Sequence, residues 1–210
     1  MKMTSKKFCM MVMMVFCVAL LAITLIACNP SQKQKEQAVR DYGEAKAYNT
    51  VNGNIIHLSN GTISYYIPSS VSGDYRTISE YAISKANTLT SAVTVNTAPS
   101  SGSYNFAKTG TVSGHANANA VNNYRYNPSN GTVVGSTITY LTDHLDSKNL
   151  AYKKHTALHE MGHTFGLEHV EADIMRGWTV MISPHPNENK YQIDDYTEFD
   201  RYNITWKYGE

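Results

Sequence analysis

The sequence predicts an α+β domain, and three observations carry that expectation. Short alternating runs rich in Val, Ile, Thr and Tyr occupy the middle of the chain. One amphipathic helical pattern interrupts them, and a second, longer helical pattern follows them. Strand, helix, several strands and then a long helix is the order of a mixed sheet backed by helices, rather than of alternating βαβ units. Taken in turn, Gly61 to Ile67 alternates and is stopped by Pro68, so it reads as a strand. From Asp74 to Ala92, Ile78, Tyr81, Ala82, Ile83, Ala86 and Leu89 recur at helical spacing. Strand-like runs follow at Ala92 to Val95, Tyr104 to Ala107, Thr111 to Ala120 and Val133 to Leu141, with Gly, Ser, Pro and Asn turns between them. The long helix is expected to start near Ser147, capped by Asp146 or Ser147, and to reach Phe165, burying Leu150, Ala157, Leu158, Met161 and Phe165. After Asp195, Thr197, Phe199, Tyr202, Ile204 and Trp206 predict a closing helix that ends at Gly209.

The first residues differ in kind. Lys2, Lys6 and Lys7 precede an apolar run from Phe8 to Ala27, the pattern of an export signal. Its length alone would also suit a membrane span. Leu25-Ile26-Ala27-Cys28 resembles the lipobox of bacterial lipoproteins, which implies cleavage after Ala27 and a lipid on Cys28. Residues 1–27 are then a signal peptide, 28–50 a polar tether with a reach of about 25 Å, and 51–210 the folded domain. The expected location is the outer face of a bacterial cell membrane. Of the three cysteines, Cys9 and Cys17 leave with the signal and Cys28 carries lipid, so no disulfide and no cysteine-based latency switch is expected. A net charge of +1 over 210 residues, with no basic cluster, argues against a nucleic-acid surface; the expected state is a monomer.

The chemistry is concentrated in His159-Glu160-Met161-Gly162-His163-Thr164-Phe165-Gly166-Leu167-Glu168-His169. On a helix, His159 and His163 share one face and present two imidazoles to one ion, while Glu160 leans over the same opening. Gly166 can adopt positive φ, end the helix and return the chain, so that His169 becomes a third ligand. Three neutral imidazoles leave one tetrahedral position for water, the arrangement of a catalytic zinc. His155, one turn earlier, is read as a surface or supporting group. His57, His115, His144 and His185 are assigned to structure or solvent.

These eleven residues resemble the signature of the metzincin metalloendopeptidases, His-Glu-x-x-His-x-x-Gly-x-x-His followed by a methionine turn. The resemblance implies a zincin fold: a mixed twisted sheet with a backing helix and an active-site helix, and a small C-terminal subdomain ending in a helix. It implies a methionine floor beneath the ligands, for which Met175 is the first candidate and Met181 the second. Astacin-like and serralysin-like members carry a ligating Tyr two residues after that methionine; Gly177 and Ser183 stand there, so the chain looks closer to the matrixins. The resemblance further implies an edge strand along the cleft, assigned to Gly114, Ala116 and Ala118, and an apolar pocket wall at Val180 and Ile182. No ligand set for a structural calcium is read in the sequence.

The expected activity is hydrolysis of peptide bonds in protein or peptide substrates by a zinc-activated water, with Glu160 as general acid and base. Two other readings stand beside it: a non-catalytic zinc-binding surface lipoprotein, and a narrow-substrate hydrolase of cell-wall peptides. Glu160 argues against the first, since binding zinc does not require it.

Overall fold

The computed structural model describes residues 49–115, 117–170, 179–182 and 193–209. The segments expected to be signal peptide and tether, Cys28 among them, lie outside these as far as residue 48, as do Ala116, Met175 and His185. Asn49 and Thr50, assigned above to the tether, belong to the fold: the Asn49 amide donates to the Gly166 carbonyl at 3.0 Å, and Thr50 pairs with Ile55.

Eight strands and four helices follow one another along the described chain. A small hairpin, β1 (Thr50–Val51) and β2 (Asn54–Ile55), precedes β3 (His57–Leu58) and β4 (Gly61–Tyr66). Helix α1 (Asp74–Ala86) leads to β5 (Val93–Ala98), β6 (Tyr104–Thr109), β7 (Ala120–Tyr126) and β8 (Thr132–Leu141). The helices α2 (Thr142–Leu145), α3 (Leu150–Thr164) and α4 (Glu198–Tyr208) complete the chain. This is the expected α+β architecture, with α1 as backing helix, α3 as the long central helix and α4 as the closing one.

Six strands form one mixed sheet in the order β3-β8-β6-β4-β5, with β7 also paired to β8. The α1 crossover makes β4 and β5 parallel, Gly61 opposite Val93 through Tyr66 opposite Ala98. β6 and β8 are parallel from Tyr104 opposite Ser136 to Thr109 opposite Leu141. Only β7 runs antiparallel, its Ala120 opposite Tyr140. Since β8 bonds β6 and β7 along the same residues, these two lie on its opposite edges, and β7 borders the sheet. Inward-facing aromatics fill the core: the rings of Tyr65 and Phe106 lie 4.9 Å apart, and those of Phe106 and Tyr140 6.0 Å.

The run read as a strand from Thr111 to Ala120 begins its ladder only at Ala120. The described residues between 111 and 119 instead make turns, with His115 donating to the Val112 carbonyl, Ala118 donating to the His115 carbonyl, and Gly114 at φ +83°. The physical reason is composition: Gly, Ala and Asn have little side chain to pack on a pleated surface, whereas Val121, Tyr124 and Tyr126 do. The assigned edge of Gly114 and Ala118 therefore becomes a turn, and β7 is the edge strand.

Helix α1 buries Tyr75, Ile78, Ala82, Ile83 and Ala86 against α3 and β5. Its Asp74 holds Lys153 of α3 at 2.9 Å. Helix α3 starts later than expected, because the Asn149 side chain, rather than Asp146 or Ser147, accepts from the Tyr152 amide. Leu150 in that first turn is 41% exposed and not part of the stripe. From Ala157 to Thr164 every residue is buried, so α3 is a core helix with protein around most of its surface. Helix α4 opens with a capping box between Thr197 and Asp200. It ends with Tyr208, whose hydroxyl accepts from the Leu58 amide at 2.8 Å and donates to the Phe165 carbonyl at 2.9 Å.

Candidate active site

His159 and His163 lie one turn apart on α3, and the chain leaves the helix at Phe165. Gly166 makes the turn at φ +89°, as its place in the motif predicts. A Cβ there would fall 1.8 Å from the Ile56 carbonyl oxygen, so glycine is required by backbone conformation and by packing together. The turn delivers His169 to the other two. Its Nε2 stands 3.0 Å from Nε2 of His159 and 3.1 Å from Nε2 of His163.

The protons on these rings decide what the cluster can hold. Nδ1 of His159 faces the Val180 carbonyl and Nδ1 of His163 the Leu167 carbonyl, each at 2.8 Å. A carbonyl oxygen only accepts, so each Nδ1 carries the hydrogen and each Nε2 of the neutral ring presents a lone pair. Burial, reinforced by the neighbouring imidazoles, holds His159 well below the usual histidine range; the same causes hold His163 down to about 4. Both rings are neutral near pH 7. One proton on His169 can serve only one of two facing lone pairs, whereas a cation serves all three. Tetrahedral zinc at ordinary Zn–N lengths sets nitrogens about 3.4 Å apart, a few tenths of an ångström beyond the spacing found. The residues present thus fit a zinc ion, with carbonyl oxygens orienting two of the ligands. Among the described residues, these three are the only such group.

Glu160 lies 7% exposed at the same opening, and burial pushes its carboxyl up to about 8, with the backbone N–H of Asn122 pulling the other way. A cleft of about 900 Å³ opens over the site. Its walls are β7, through Ala120, Val121, Asn122 and Tyr124, and the α3 face of Thr156, Glu160 and the histidines. Gly114, His115, Asn117, Ala118 and Asn119 form its rim, so Gly114 and Ala118 do line the cleft, though not from a strand. Ala116 lies outside the described residues.

Beneath the ligands, Thr179 to Ile182 forms a buried support. Met181 is 1% exposed, and a Cβ on Gly162 would meet its Sδ at 2.4 Å, which places the thioether directly under the turn joining His159 to His163. The second methionine candidate therefore occupies the floor; Met175 lies outside the described residues. Val180 and Ile182 are buried, and neither is among the described residues lining this cleft; most of the segment around them lies outside the described residues. What Val180 contributes is its backbone: the carbonyl takes the His159 hydrogen, and the amide donates to Asp200 at 3.2 Å. Asp200, 1% exposed, also accepts from the Thr179 hydroxyl. His155 is buried rather than at the surface, with Nδ1 beside the Ile193 backbone at 3.2 Å from its carbonyl oxygen and 3.3 Å from its amide nitrogen.

Sequence reasoning missed three contributors: Asn122, Asp200 and Tyr208. Asn122 carried a readable signal, an asparagine pair inside a run that otherwise alternates as a strand. Asp200 and Tyr208 act from 31 and 39 positions beyond His169, and no local pattern marks them.

The chain is similar in structure to myroilysin in two structures. One matches at 13% identity and TM-score 0.43 over 72% of this chain and 94% of that one; the other at 13% and 0.46 over 80% and 96%. It is also similar to high choriolytic enzyme 1, a hatching-enzyme zinc-protease from the medaka fish Oryzias latipes, at 12% identity and TM-score 0.41 over 79% of this chain and 95% of that one. No protein-family model and no curated protein sequence matches the chain.

Proposed function

We propose that the protein is a zinc-dependent endopeptidase of the metzincin type, on the matrixin side of that group. His159, His163 and His169 hold the metal, and Glu160 is the general acid and base. The observation that carries this reading is the convergence of three imidazole nitrogens beside a buried carboxyl group, in a cleft of about 900 Å³. Zinc held there would supply a water of pKa near 7 and a Lewis acid for the scissile carbonyl. Ionised by the positive charge that zinc would place beside it, Glu160 accepts the water proton on a carboxylate oxygen and returns it to the leaving amine nitrogen, a role worth roughly 100- to 10,000-fold in rate. Substrate lies along β7, the bordering strand, by main-chain pairing. A binding module would gain nothing from a carboxylate buried beside the ligands, which disfavours the non-catalytic reading.

The export signal and the lipobox-like Leu25 to Cys28 support an enzyme held by lipidated Cys28 on the outer face of a bacterial cell membrane.

The test is profiling of a complex peptide library by mass spectrometry, with the zinc-loaded protein from residue 29 onward beside Glu160→Gln. Cleavages made only by the wild type are the expected result. Silence from both, in protein holding one zinc, would overturn the peptidase reading.

A further inference from the structure

We infer that Asn122 is a positioning residue: it fixes the spacing between the substrate-docking strand β7 and the segment of α3 that carries Glu160. This rests on the proposal that β7 docks substrate. The Asn122 side chain crosses the gap between the two walls of the cleft. Its amide nitrogen donates to the Glu160 carbonyl at 2.6 Å and to the Thr164 hydroxyl at 2.8 Å. Because the Glu160 carbonyl only accepts, the amide orientation is fixed, and Oδ1 must accept on its other side. It does so from the Ser136 hydroxyl of β8 at 2.7 Å.

These bonds belong to a closed ring. The Tyr65 hydroxyl of β4 donates to Ser136 at 2.8 Å, and Thr164 and Tyr65 meet at 2.7 Å. With Thr164 donating to Tyr65, hydrogens run in one sense from Asn122 to Thr164, Tyr65, Ser136 and back to Asn122. Each hydroxyl gives one bond and takes one, and the second hydrogen of Asn122 is left for Glu160. Tyr65 and Thr164 are fully buried and Ser136 is 1% exposed, so the ring lies in a low-dielectric interior where such bonds reinforce one another. Four elements meet in it, yet only Asn122 also faces the cleft. An apolar residue would pack β7 on β8 equally well. The asparagine's distinguishing property is that it ties this strand to the backbone of the residue assigned the proton transfer, with Thr164 adjoining the ligand His163.

The consequence is catalytic. A peptide paired on β7 has its scissile carbonyl placed relative to Glu160 by the strand-to-helix spacing, and misplacement by about 1 Å can cost on the order of 100-fold in rate. Asn122→Asp keeps the shape and removes both N–H donors, setting a carboxyl oxygen against the Glu160 carbonyl. Its expected signature in the zinc-loaded protein is a kcat reduced by roughly 10- to 100-fold with KM changed by less than about 3-fold. Zinc affinity, measured by chelator competition, stays within about 2-fold, because none of the three ligands or their carbonyl partners is touched. Amide hydrogen exchange accelerates in residues 120–126 and not in α1. Ser79→Ala serves as the control for general destabilisation, since it breaks a buried hydroxyl pair with Tyr140 at 3.1 Å between α1 and β8. Its kcat per folded molecule is expected to match wild type. The inference is overturned if Asn122→Asp and Asn122→Ala lose melting temperature but keep wild-type kcat, or if Ser79→Ala lowers kcat equally. A wild type that cleaves no peptide removes the peptidase reading, and this inference with it.

Discussion

Replacing Gly166 with alanine probes the turn that assembles the metal site. Its φ of +89° lies where an L-residue pays roughly 1–2 kcal/mol, and the new methyl would sit 1.8 Å from the Ile56 carbonyl oxygen and 2.7 Å from its carbon. Neither neighbour is the end of a flexible side chain, so relief requires the backbone around Ile56 to move. Overpacking of that kind adds about 1–3 kcal/mol, for a total of about 2–5 kcal/mol. In a domain of this size 1 kcal/mol shifts Tm by about 2–4 °C, so a fall of about 4–20 °C is expected in calorimetry of the metal-free protein. A second readout separates the turn from general packing. Because Gly166 delivers His169, zinc affinity measured against a chelator should fall by at least about 10-fold, as when supports of metal ligands are disturbed. A variant with Tm within 2 °C of wild type and unchanged zinc affinity would refute the claim that the ligand set depends on this turn.

Two further outcomes are expected. Gly162→Ala should cost about 1–3 kcal/mol, because the new methyl meets the Met181 sulfur at 2.4 Å. Adding Met181→Ala should recover part of that loss, read as a non-additive double-mutant cycle in denaturant melts; strict additivity would show that the two do not touch. Zinc at 100 times its Kd should raise stability by about 2.7 kcal/mol, a gain abolished by a chelator and by His169→Ala. A gain that survives His169→Ala would place the ion elsewhere.

What the sequence disclosed of this molecule follows a physical division. His159, Glu160, His163, Gly166 and His169 were legible because helical periodicity and one obligatory turn fix their relation within eleven residues. The α1 stripe and the run from Gly61 were legible for the same local reason. The bordering strand was displaced by several residues because the small alternating side chains from Gly114 to Ala120 read as an edge, whereas the larger Val121, Tyr124 and Tyr126 pack on the pleated surface. Asn122, within that strand, carries the bonds that join it to the helix. The floor of the site was ambiguous between Met175 and Met181 because which methionine reaches Gly162 depends on how the chain returns. That return is held by Asp200, a contact between residues some twenty positions apart. For His155 the sequence left surface and supporting roles open, because the backbone it meets belongs to Ile193, 38 positions away.

Tyr208 sets a timetable for assembly. Its hydroxyl links Leu58, 150 positions earlier, to the carbonyl of Phe165 at the end of α3, so this one tie between them waits until residue 208 is available, although Thr164 and Gly166 are held by residues made earlier. Ribosomes add about 5–20 residues per second, so the 39 positions from His169 to Tyr208 take about 2–8 s to make. For that interval all three imidazoles exist on a chain whose closing tie does not. Premature truncation short of Tyr208 would therefore yield a product that retains every metal ligand while leaving the Leu58 amide and the Phe165 carbonyl without their shared partner.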